Sequence, residues 1–375
     1  MQNGPPLVVY LDTQDYVNIQ HRRDNTANAS VLNYLLTKVA DGDIIIPYSP
    51  MIVLEFLTRP GSGLGEDRAE RGRILKEFCG LNTFAMEFGK PNDSLRSDGN
   101  WIGEDLTKGI SLKPLLQKYI NEARAAIISQ SSLNRKARRQ LSNDRFVWKY
   151  LRTVNPTFGR KKEDFDPIPV SQEFLDGRFM ERYLRGEISE STVHEAFSKW
   201  MTDPEEFCRI YYEYNNSPNA IDHFFGKTIK SLGDASKKAE DLCKEIIESQ
   251  KLRLSLRQDI IASGVEKRAA VKMTPPFKSN YNLESLREKT DMTFGVGKGD
   301  HFLTYFLAIL KGKTSWLSSD FGDLFHFIYA YKCDLFRCDK KMASIMAECP
   351  AFSGKLVASF FDLPKRIDEE LEGKA

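Results

Sequence analysis

Apolar residues near the start of the chain alternate between short continuous runs and helical spacing. One run, LVVYL at 7–11, ends at Asp12, and a second, DIIIPY at 43–48, precedes a Ser-Pro helix start. Between the runs, residues 29–39 place apolar side chains at helical spacing. The opening of the chain is therefore predicted as strand, helix, strand.

The same alternation continues after the second strand and returns near the C-terminus. Helices are predicted over 50–58 and 66–79, separated by the helix-breaking sequence RPGSG. The C-terminal pattern predicts a helix over 302–310, a helix over 321–331, a strand over 333–337, a helix over 340–346 and a strand over 356–361. Continuous apolar strands separated by helices are typical of a parallel sheet covered on both faces. We expect an α/β fold whose sheet uses both ends of the chain.

The pattern changes in the middle of the chain, which is charged, punctuated by proline and mostly helical, with no convincing strand pair. Within it, residues 237–268 carry Lys, Glu, Leu and Ile at helical spacing, which predicts a long helix that is exposed or packed on a partner. We expect a discontinuous α/β domain over 1–90 and 298–375, interrupted by a mainly α-helical insertion over 91–297.

Bulk composition narrows the class of protein. A length of 375 residues suits one enlarged domain or two, and 41% hydrophobic with 28% charged residues excludes a largely disordered chain. No signal-like segment and no run of ~20 apolar residues is present, which predicts a cytoplasmic protein without a membrane span. The only close cysteine pair, Cys333 and Cys338, lacks zinc-knuckle spacing, so all cysteines are expected to be reduced.

Four acidic residues occupy positions that suit a metal site. Asp12 and Asp339 follow predicted strands, at the carboxyl ends where open parallel sheets bind ligands. Glu55 lies within the apolar sequence MIVLEFL and Asp323 within DFGDLFHFIYAY, where a buried carboxylate costs several kcal/mol unless it is paired or bound to a metal ion. Clustered carboxylates need a cation, and their oxygen ligands favour Mg²⁺ or Mn²⁺. Such ions activate water for attack on a phosphodiester.

Taken singly, each residue has a second interpretation, and these remain open. Asp12 also suits a helix cap or an Asx-turn, Glu55 a solvent-facing helix end, and Asp339 the N-cap of the helix that follows it. His326 lies one helical turn after Asp323. A buried histidine with satisfied hydrogen bonds is one interpretation of this residue, and a partner that orients Asp323 is the other.

The same segments resemble the PIN-like nuclease family, a compact α/β fold in which three or four acidic residues hold the metal. VVYLDTQDYVNI is similar to its first strand and Asp-Thr signature, at Asp12 and Thr13, and IIIPYSPMIVLEFL to its second strand and the helix carrying Glu55. The most specific similarity is SSDFGDLFHFIYAYKCDLFRCDKKM, which carries the third and fourth acids to Asp323 and Asp339.

The resemblance covers roughly residues 6–90 and 298–365 and does not extend to the middle of the chain. It implies a three-layer fold with a parallel central sheet and the four acids as catalytic, metal-binding residues. It also implies hydrolysis of RNA, less often DNA, to a 5′-phosphate and a 3′-hydroxyl.

Other residues near the four acids have expected roles or differ from the family pattern. The resemblance places Thr13 and His326 beside the metal ligands. Asp320 precedes Asp323 by one helical turn, which makes it a further candidate metal ligand as well as a natural N-cap. Many relatives have Thr or Ser two residues before the last acid, whereas this chain has Arg337 there.

Net charge is only +2, but positive charge is concentrated at 135–162. This stretch holds ten Lys or Arg residues against one acid, Asp144, with Phe146, Trp148 and Tyr150 interleaved. Such a stripe suits phosphate neutralisation, and the aromatic residues suit stacking on unpaired bases or, alternatively, packing in a core. The residues predicted to bind nucleic acid are Arg135, Lys136, Arg138, Arg139, Arg145 and Lys149.

These features predict a metal-dependent endonuclease that favours RNA. The insertion is expected to select substrate, dimerise or bind a protein partner, as in a toxin or host-defence nuclease. Two other functions remain open: an inactive PIN-like module that binds nucleic acid or protein, and an unrelated phosphatase or phosphotransferase for small phosphoesters, with the acids as caps. The glycine-rich loop 294–300 lacks Walker spacing and is interpreted as a hinge, and Asp300 at its end fits the acidic pattern less well than Asp323.

Overall fold

A computed structural model places the two ends of the chain in one sheet surrounded by helices. It describes residues 5–21, 26–57, 65–87, 90–101, 113–130, 134–144, 146–147, 161–165, 170–213, 218–274, 299–317 and 319–374. The strands, in chain order, are β1 (Leu7–Tyr10), β2 (Ile44–Ile45), β3 (Thr83–Glu87), β4 (Lys90–Arg96), β5 (Leu335–Arg337) and β6 (Leu356–Val357).

Helices make up most of the described residues. In the N-terminal part they are α1 (Thr13–His21), α2 (Thr26–Ala40), α3 (Pro50–Ile52), continued by a π-helical turn (Val53–Leu57), and α4 (Gly65–Cys79). In the middle they are α5 (Lys113–Gln130), α6 (Arg135–Leu141), α7 (Gln172–Asp176), α8 (Phe179–Arg185), α9 (Glu190–Thr202), α10 (Pro204–Glu213), α11 (Pro218–Ala262) and α12 (Lys267–Met273). Near the C-terminus they are α13 (Asp300–Leu310), α14 (Asp320–Ala330), α15 (Lys340–Met346) and α16 (Leu363–Lys374).

The main sheet has the order β2-β1-β5-β6, and all of its neighbouring strands are parallel. From β1 the chain passes to β2 on one side, and much later it enters β5 on the other side. The Tyr10–Phe336 pair sets the register of β1 and β5. Because the connections diverge between these two strands, their carboxyl ends form a topological switch point, where open α/β sheets bind ligands.

The structure confirms the predicted α/β class and the parallel sheet, and corrects two details. The last strand ends at Val357 and not at 361, because Ser359 accepts a hydrogen bond from the backbone N–H of Phe361 at 3.3 Å and a 3₁₀ turn follows. The expectation of no strand pair beyond residue 90 was wrong for β4, which pairs antiparallel with β3. This hairpin adjoins the sheet through a parallel bridge between Tyr48 and Thr83.

Two hydrophobic cores organise the described residues. The first packs the main sheet and also takes up side chains from the middle of the chain, such as Phe207 of α10 and Cys243 of α11. The second contains Leu141, Phe174 and other residues of the middle segment. Helix α9 joins the two, because Phe197 lies in the second core while Trp200, one turn later, lies in the first. The middle of the chain is therefore anchored directly on the α/β half.

Two further sequence expectations concern the cysteines and membrane segments. All six cysteines are buried free thiols in the structure. Among the described helices, none combines the length and apolar character needed to cross a membrane.

Candidate functional site

Three of the four predicted acids line one small cleft. Asp12 follows β1 and Asp339 follows β5, so both leave the sheet at its switch point. Asp323, in the first turn of α14, lines the same cleft, whose volume is about 250 Å³ including its open mouth. The tertiary structure thus brings together side chains that are more than 300 residues apart in sequence.

Glu55 lies beside this cleft and is held by two hydrogen bonds. Its Oε2 accepts a bond from Thr13 Oγ1 at 2.7 Å and lies 3.0 Å from His326 Nε2. The side chain sits on the π-helical turn and is 35% exposed, while Val53 and Phe56 on either side are buried. Single π-helical turns occur frequently at functional sites. Glu55 is thus both partly solvent-facing and paired, which combines the two interpretations of its sequence.

His326 is buried and uses both ring nitrogens. Nδ1 lies 2.6 Å from the hydroxyl of Tyr10, which itself lies 2.6 Å from Ser49 Oγ. Ser49 also caps α3 by accepting a bond from the N–H of Ile52 at 3.3 Å. Because Nε2 contacts Glu55, the ring positions Glu55 by hydrogen bonding, and not Asp323 as one sequence interpretation had it.

The ionised forms of two cleft acids, Asp12 and Asp323, are disfavoured by burial and by neighbouring carboxylates. Burial raises the pKa of Asp12, while His326 and Arg337 lower it and Glu55 raises it. Burial also raises the pKa of Asp323 to about 7, with further increases from Asp12, Asp339 and Glu55. Burial is the largest cause of both shifts, and the neighbouring carboxylates add to them; a bound cation would lower the pKa of both acids.

His326 compensates part of the negative charge of these acids. Burial by itself lowers the pKa of its imidazole, but the charge and the hydrogen bond of Glu55, with the charges of Asp12 and Asp323, raise it above its ordinary value. The ring therefore carries positive charge more readily than a free histidine does.

Asp339 has two roles available. Its Oδ1 accepts a hydrogen bond from the N–H of Met342 at 2.6 Å, so it is the N-cap of α15, as one interpretation of the sequence held. The residue is exposed and also lines the cleft. A carboxylate has a second oxygen, so capping and metal binding are compatible.

Two substitutions of Asp339 separate its capping role from its proposed metal-binding role. Asp339→Asn keeps an oxygen for the cap and is expected to change the free energy of unfolding by less than about 0.5 kcal/mol, whereas Asp339→Ala loses the cap and costs about 1 kcal/mol. Both variants lose the carboxylate and should bind Mn²⁺ at least tenfold more weakly. Urea unfolding and Mn²⁺ titration measure the two effects; equal Mn²⁺ affinity in wild type and Asp339→Asn would show that the residue is only a cap.

Asp320 does not line the cleft. It is buried, and its Oδ1 pairs with Lys341 Nζ at 2.6 Å while its Oδ2 accepts bonds from the hydroxyl of Tyr305 and the N–H of Leu317. Both oxygens are therefore engaged away from the cleft acids. The prediction of Asp320 as a metal ligand is not supported, and the N-cap of α14 is Ser319 instead. Asp300, which begins α13, does not line the cleft either.

Sequence inspection missed Asp15, which is buried and contacts two residues of the cleft, Asp12 and Arg337. Its Oδ2 accepts a bond from the N–H of Asp12 at 3.2 Å, and its own N–H donates to the carbonyl of Asp12 at 3.0 Å. Its Oδ1 lies 3.3 Å from Arg337 Nη2. Burial raises the pKa of Asp15 to about 7, against the opposing charge of Arg337. The three-residue spacing between Asp12 and Asp15 is that of a capping box, the signal that could have found it.

Four of the predicted nucleic-acid-binding residues lie on one short exposed helix, α6. They are Arg135, Lys136, Arg138 and Arg139. Leu141 anchors this helix in the second core, and Arg124 donates to the carbonyl of Leu141 at 2.8 Å. Phe146 is 39% exposed, as a stacking role requires. Arg145, Lys149, Trp148 and Tyr150 lie outside the described residues.

The donor set fits a hard cation in chemistry. In the part of the chain that the structure describes, however, no group of three or more His, Cys, Asp or Glu side chains is already arranged to hold a metal ion. Asp12, Asp323 and Asp339 share a cleft and repel one another electrostatically.

Comparisons with models of known protein families, with curated proteins and with solved structures each find no match to this chain. The function must therefore be inferred from the residues and their geometry.

Proposed function

We propose that the protein is a metal-dependent endonuclease that hydrolyses phosphodiester bonds, with RNA favoured over DNA. The observation that carries this proposal is the convergence of Asp12, Asp323 and Asp339 on one cleft at the switch point of the parallel sheet. In a sheet of this kind the switch point is the expected place for a ligand. Three carboxylates crowded there favour a hard divalent cation.

We further propose that the α/β half is a three-layer PIN-like domain. Its acids come from the elements that the family resemblance implies: the end of β1, the turn after α3, the start of α14 and the end of β5. The strand order β2-β1-β5-β6 places β1 and β5 at the centre, so the two strand-borne acids are neighbours. The helical middle segment, which the resemblance does not reach, adds the basic helix α6.

Each site residue then has a part in hydrolysis. Asp12, Asp323 and the second oxygen of Asp339 would hold Mg²⁺ or Mn²⁺, which supplies activation of the attacking water and neutralisation of phosphate charge. Thr13 and His326 keep the Glu55 carboxylate oriented at the edge of the cleft, where it would be the fourth acid of the metal site. In the reaction the water oxygen bonds to phosphorus, the P–O3′ bond breaks, and the proton given up by water is balanced by the one taken up at the 3′ oxygen.

The exposed positive charge of α6 favours a polymer over a small phosphoester as the substrate. The four exposed cations of α6 would neutralise a phosphate backbone, with an affinity that falls as salt rises. An inactive binding module would not require three carboxylates in one cleft.

The direct test is cleavage of end-labelled single-stranded RNA and DNA of the same sequence, with Mg²⁺, with Mn²⁺ and with excess chelator. We expect metal-dependent internal cleavage of RNA, slower cleavage of DNA, and no turnover of p-nitrophenyl phosphate. Turnover of p-nitrophenyl phosphate without RNA cleavage would favour the phosphatase alternative. RNA binding without any cleavage would favour the inactive binding module.

A second test concerns the position of Glu55. Gly322 lies in α14 where an added Cβ would be 2.7 Å from Glu55 Oε1, closer than real Cβ contacts. Gly322→Ala should therefore displace the Glu55 carboxylate, although alanine favours the helix by up to about 1 kcal/mol. We expect RNA cleavage to fall roughly tenfold or more, from the misplacement of one catalytic group, with no loss of thermal stability.

Gly233→Ala is the matched control, because Gly233 also lies inside a helix, α11, and its added Cβ would have nothing within 4 Å. It should keep full activity and gain similar helix stability. Equal activity in the two alanine variants would show that Glu55 is not part of the catalytic site.

A further inference from the structure

Arg337 is a fixed positive charge in the wall of the acidic cleft. It is the last residue of β5, and its side chain is 12% exposed. It lines the cleft together with Asp12, Asp323 and Asp339. It lies 3.3 Å from Asp15 Oδ1, and its charge lowers the pKa of both Asp12 and Asp15.

The hydrogen bonds of Arg337 do not use its full donor capacity. One Nη group donates to the carbonyl of Cys338. The other lies 3.3 Å from Asp15 Oδ1 as an ion pair without hydrogen-bond geometry, since that oxygen has no hydrogen-bond partner among the described residues. Its Nε is buried and, among the described residues, has no hydrogen-bond partner. A guanidinium carries five N–H donors in a planar fork that matches phosphate oxygens. Unused donors on a buried cation next to proposed metal ligands therefore point to an anionic ligand.

We propose that Arg337 binds the scissile phosphate of the nucleic-acid substrate, contacting a non-bridging oxygen while the P–O3′ bond breaks. This inference rests on the proposed function, because it places the phosphate in the same cleft. As charge builds on the phosphate oxygens during attack by water, a preorganised cation at that position stabilises the transition state. Asp15 forms an ion pair with the guanidinium and accepts the N–H of Asp12, so it links Arg337 to the backbone of Asp12.

The alternative role for Arg337 is to neutralise Asp15 only. Arg337→Gln would then leave a buried carboxylate without its counterion, so loss of folding could imitate loss of function. The test therefore compares Asp15→Asn with Asp15→Asn/Arg337→Gln. Both variants lack the buried carboxylate of Asp15, so they differ only in the guanidinium of Arg337. Asparagine keeps an oxygen that can accept the N–H of Asp12.

Three measurements separate the two roles. Relative to Asp15→Asn, the double variant should lose about 100-fold or more in kcat. Its affinity for single-stranded RNA in chelator, measured by fluorescence anisotropy, should fall about fivefold, and the slope of log affinity against log salt should shrink by about one. Its affinity for Mn²⁺, measured by electron paramagnetic resonance, should be equal or higher, because a cation next to the metal has been removed.

Equal cleavage and equal RNA binding in the two variants would overturn the inference and leave Arg337 as a counterion of Asp15. If neither wild type nor Asp15→Asn cleaves RNA with either metal, the proposed function fails. The RNA-binding comparison in chelator still decides whether Arg337 contacts phosphate. Arg337→Lys on the Asp15→Asn background should be intermediate, because it keeps the charge and loses the planar fork.

Discussion

Asp12→Asn and Asp323→Asn are each expected to slow RNA cleavage by roughly 10³-fold or more, equivalent to about 4 kcal/mol of transition-state stabilisation. Both substitutions keep the size of the side chain and remove the charge that would hold a divalent cation. Because the two residues lie on different elements and line one cleft, their effects should not add: the double variant should be little slower than either single variant. Single-turnover cleavage of labelled RNA with Mg²⁺ measures the loss.

Asp334→Asn is the matched control for this experiment. Asp334 lies just before β5, at the opposite end of the strand from Asp339. Its Oδ2 accepts a bond from the N–H of Val8 at 2.8 Å, which asparagine can preserve, and its Oδ1 pairs with Lys374 at the surface. Full activity is expected for this variant. Cleavage that survives both Asp12→Asn and Asp323→Asn, or persists in excess chelator, would contradict the proposed site.

The second large effect is on stability and depends on both pH and metal. The pKa of Asp323 rises from 3.8 to about 7 in the folded protein. The protonated carboxyl is therefore favoured by folding, and the stability it contributes below about pH 4 is lost as the pH rises through 7. An asparagine side chain cannot ionise, so Asp323→Asn should increase the free energy of unfolding at pH 8 in chelator by roughly 1–3 kcal/mol, after allowance for partial exposure. At pH 4 the difference should vanish.

Bound Mg²⁺ should make wild type more stable than the Asp323→Asn variant at pH 8. At a Mg²⁺ concentration of 100 times its Kd, wild type gains about 2.7 kcal/mol and the Asp323→Asn variant gains much less. Urea unfolding at pH 4, 6 and 8, with Mg²⁺ and with chelator, tests both parts. If Asp323→Asn destabilises the metal-free protein at pH 8, the carboxylate is paired in the folded state and the crowding described for the cleft is wrong.

Asp15→Asn provides a useful comparison in the same experiment. Burial raises the pKa of Asp15 to about 7 as well, so its removal should show the same dependence on pH. Asp15 pairs with Arg337 and is not a proposed ligand, so Mg²⁺ should stabilise this variant as much as wild type. A loss of the Mg²⁺ effect in Asp15→Asn would mean that Asp15 belongs to the metal site.

Much of the fold could be predicted from local pattern. The continuous apolar runs at β1 and β2 and the helical spacing of α2 and α14 correspond to elements whose faces must be buried, and burial dictates the pattern directly. The limits of β6 and the existence of β4 could not be predicted from this local pattern. Both depend on local competition, such as the hydroxyl of Ser359 that ends the last strand, and on cross-strand pairing with β3.

The candidate acids were also visible in sequence, because a carboxylate inside an apolar stretch or directly after a strand is costly without a purpose. The spacing of these acids in sequence could not show which of them line the cleft. Asp320 and Asp323 lie one helical turn apart, yet Lys341 of α15 neutralises Asp320 while Asp323 lines the cleft. The spacing of Asp12 and Asp15 suggests a capping box, but only the tertiary structure shows the ion pair that joins Asp15 to Arg337 in the wall of the cleft.

The sequence by itself therefore determined most element types, the α/β class and the four candidate acids, since each follows from side chains within a few residues of one another. Only the tertiary structure decided which acids meet. The order β2-β1-β5-β6 makes Asp12 and Asp339 neighbours across more than 300 residues, and it sets Arg337 among them. Charges interact through space, so the partner of a carboxylate is set by the packing of the whole chain and not by its neighbours in sequence.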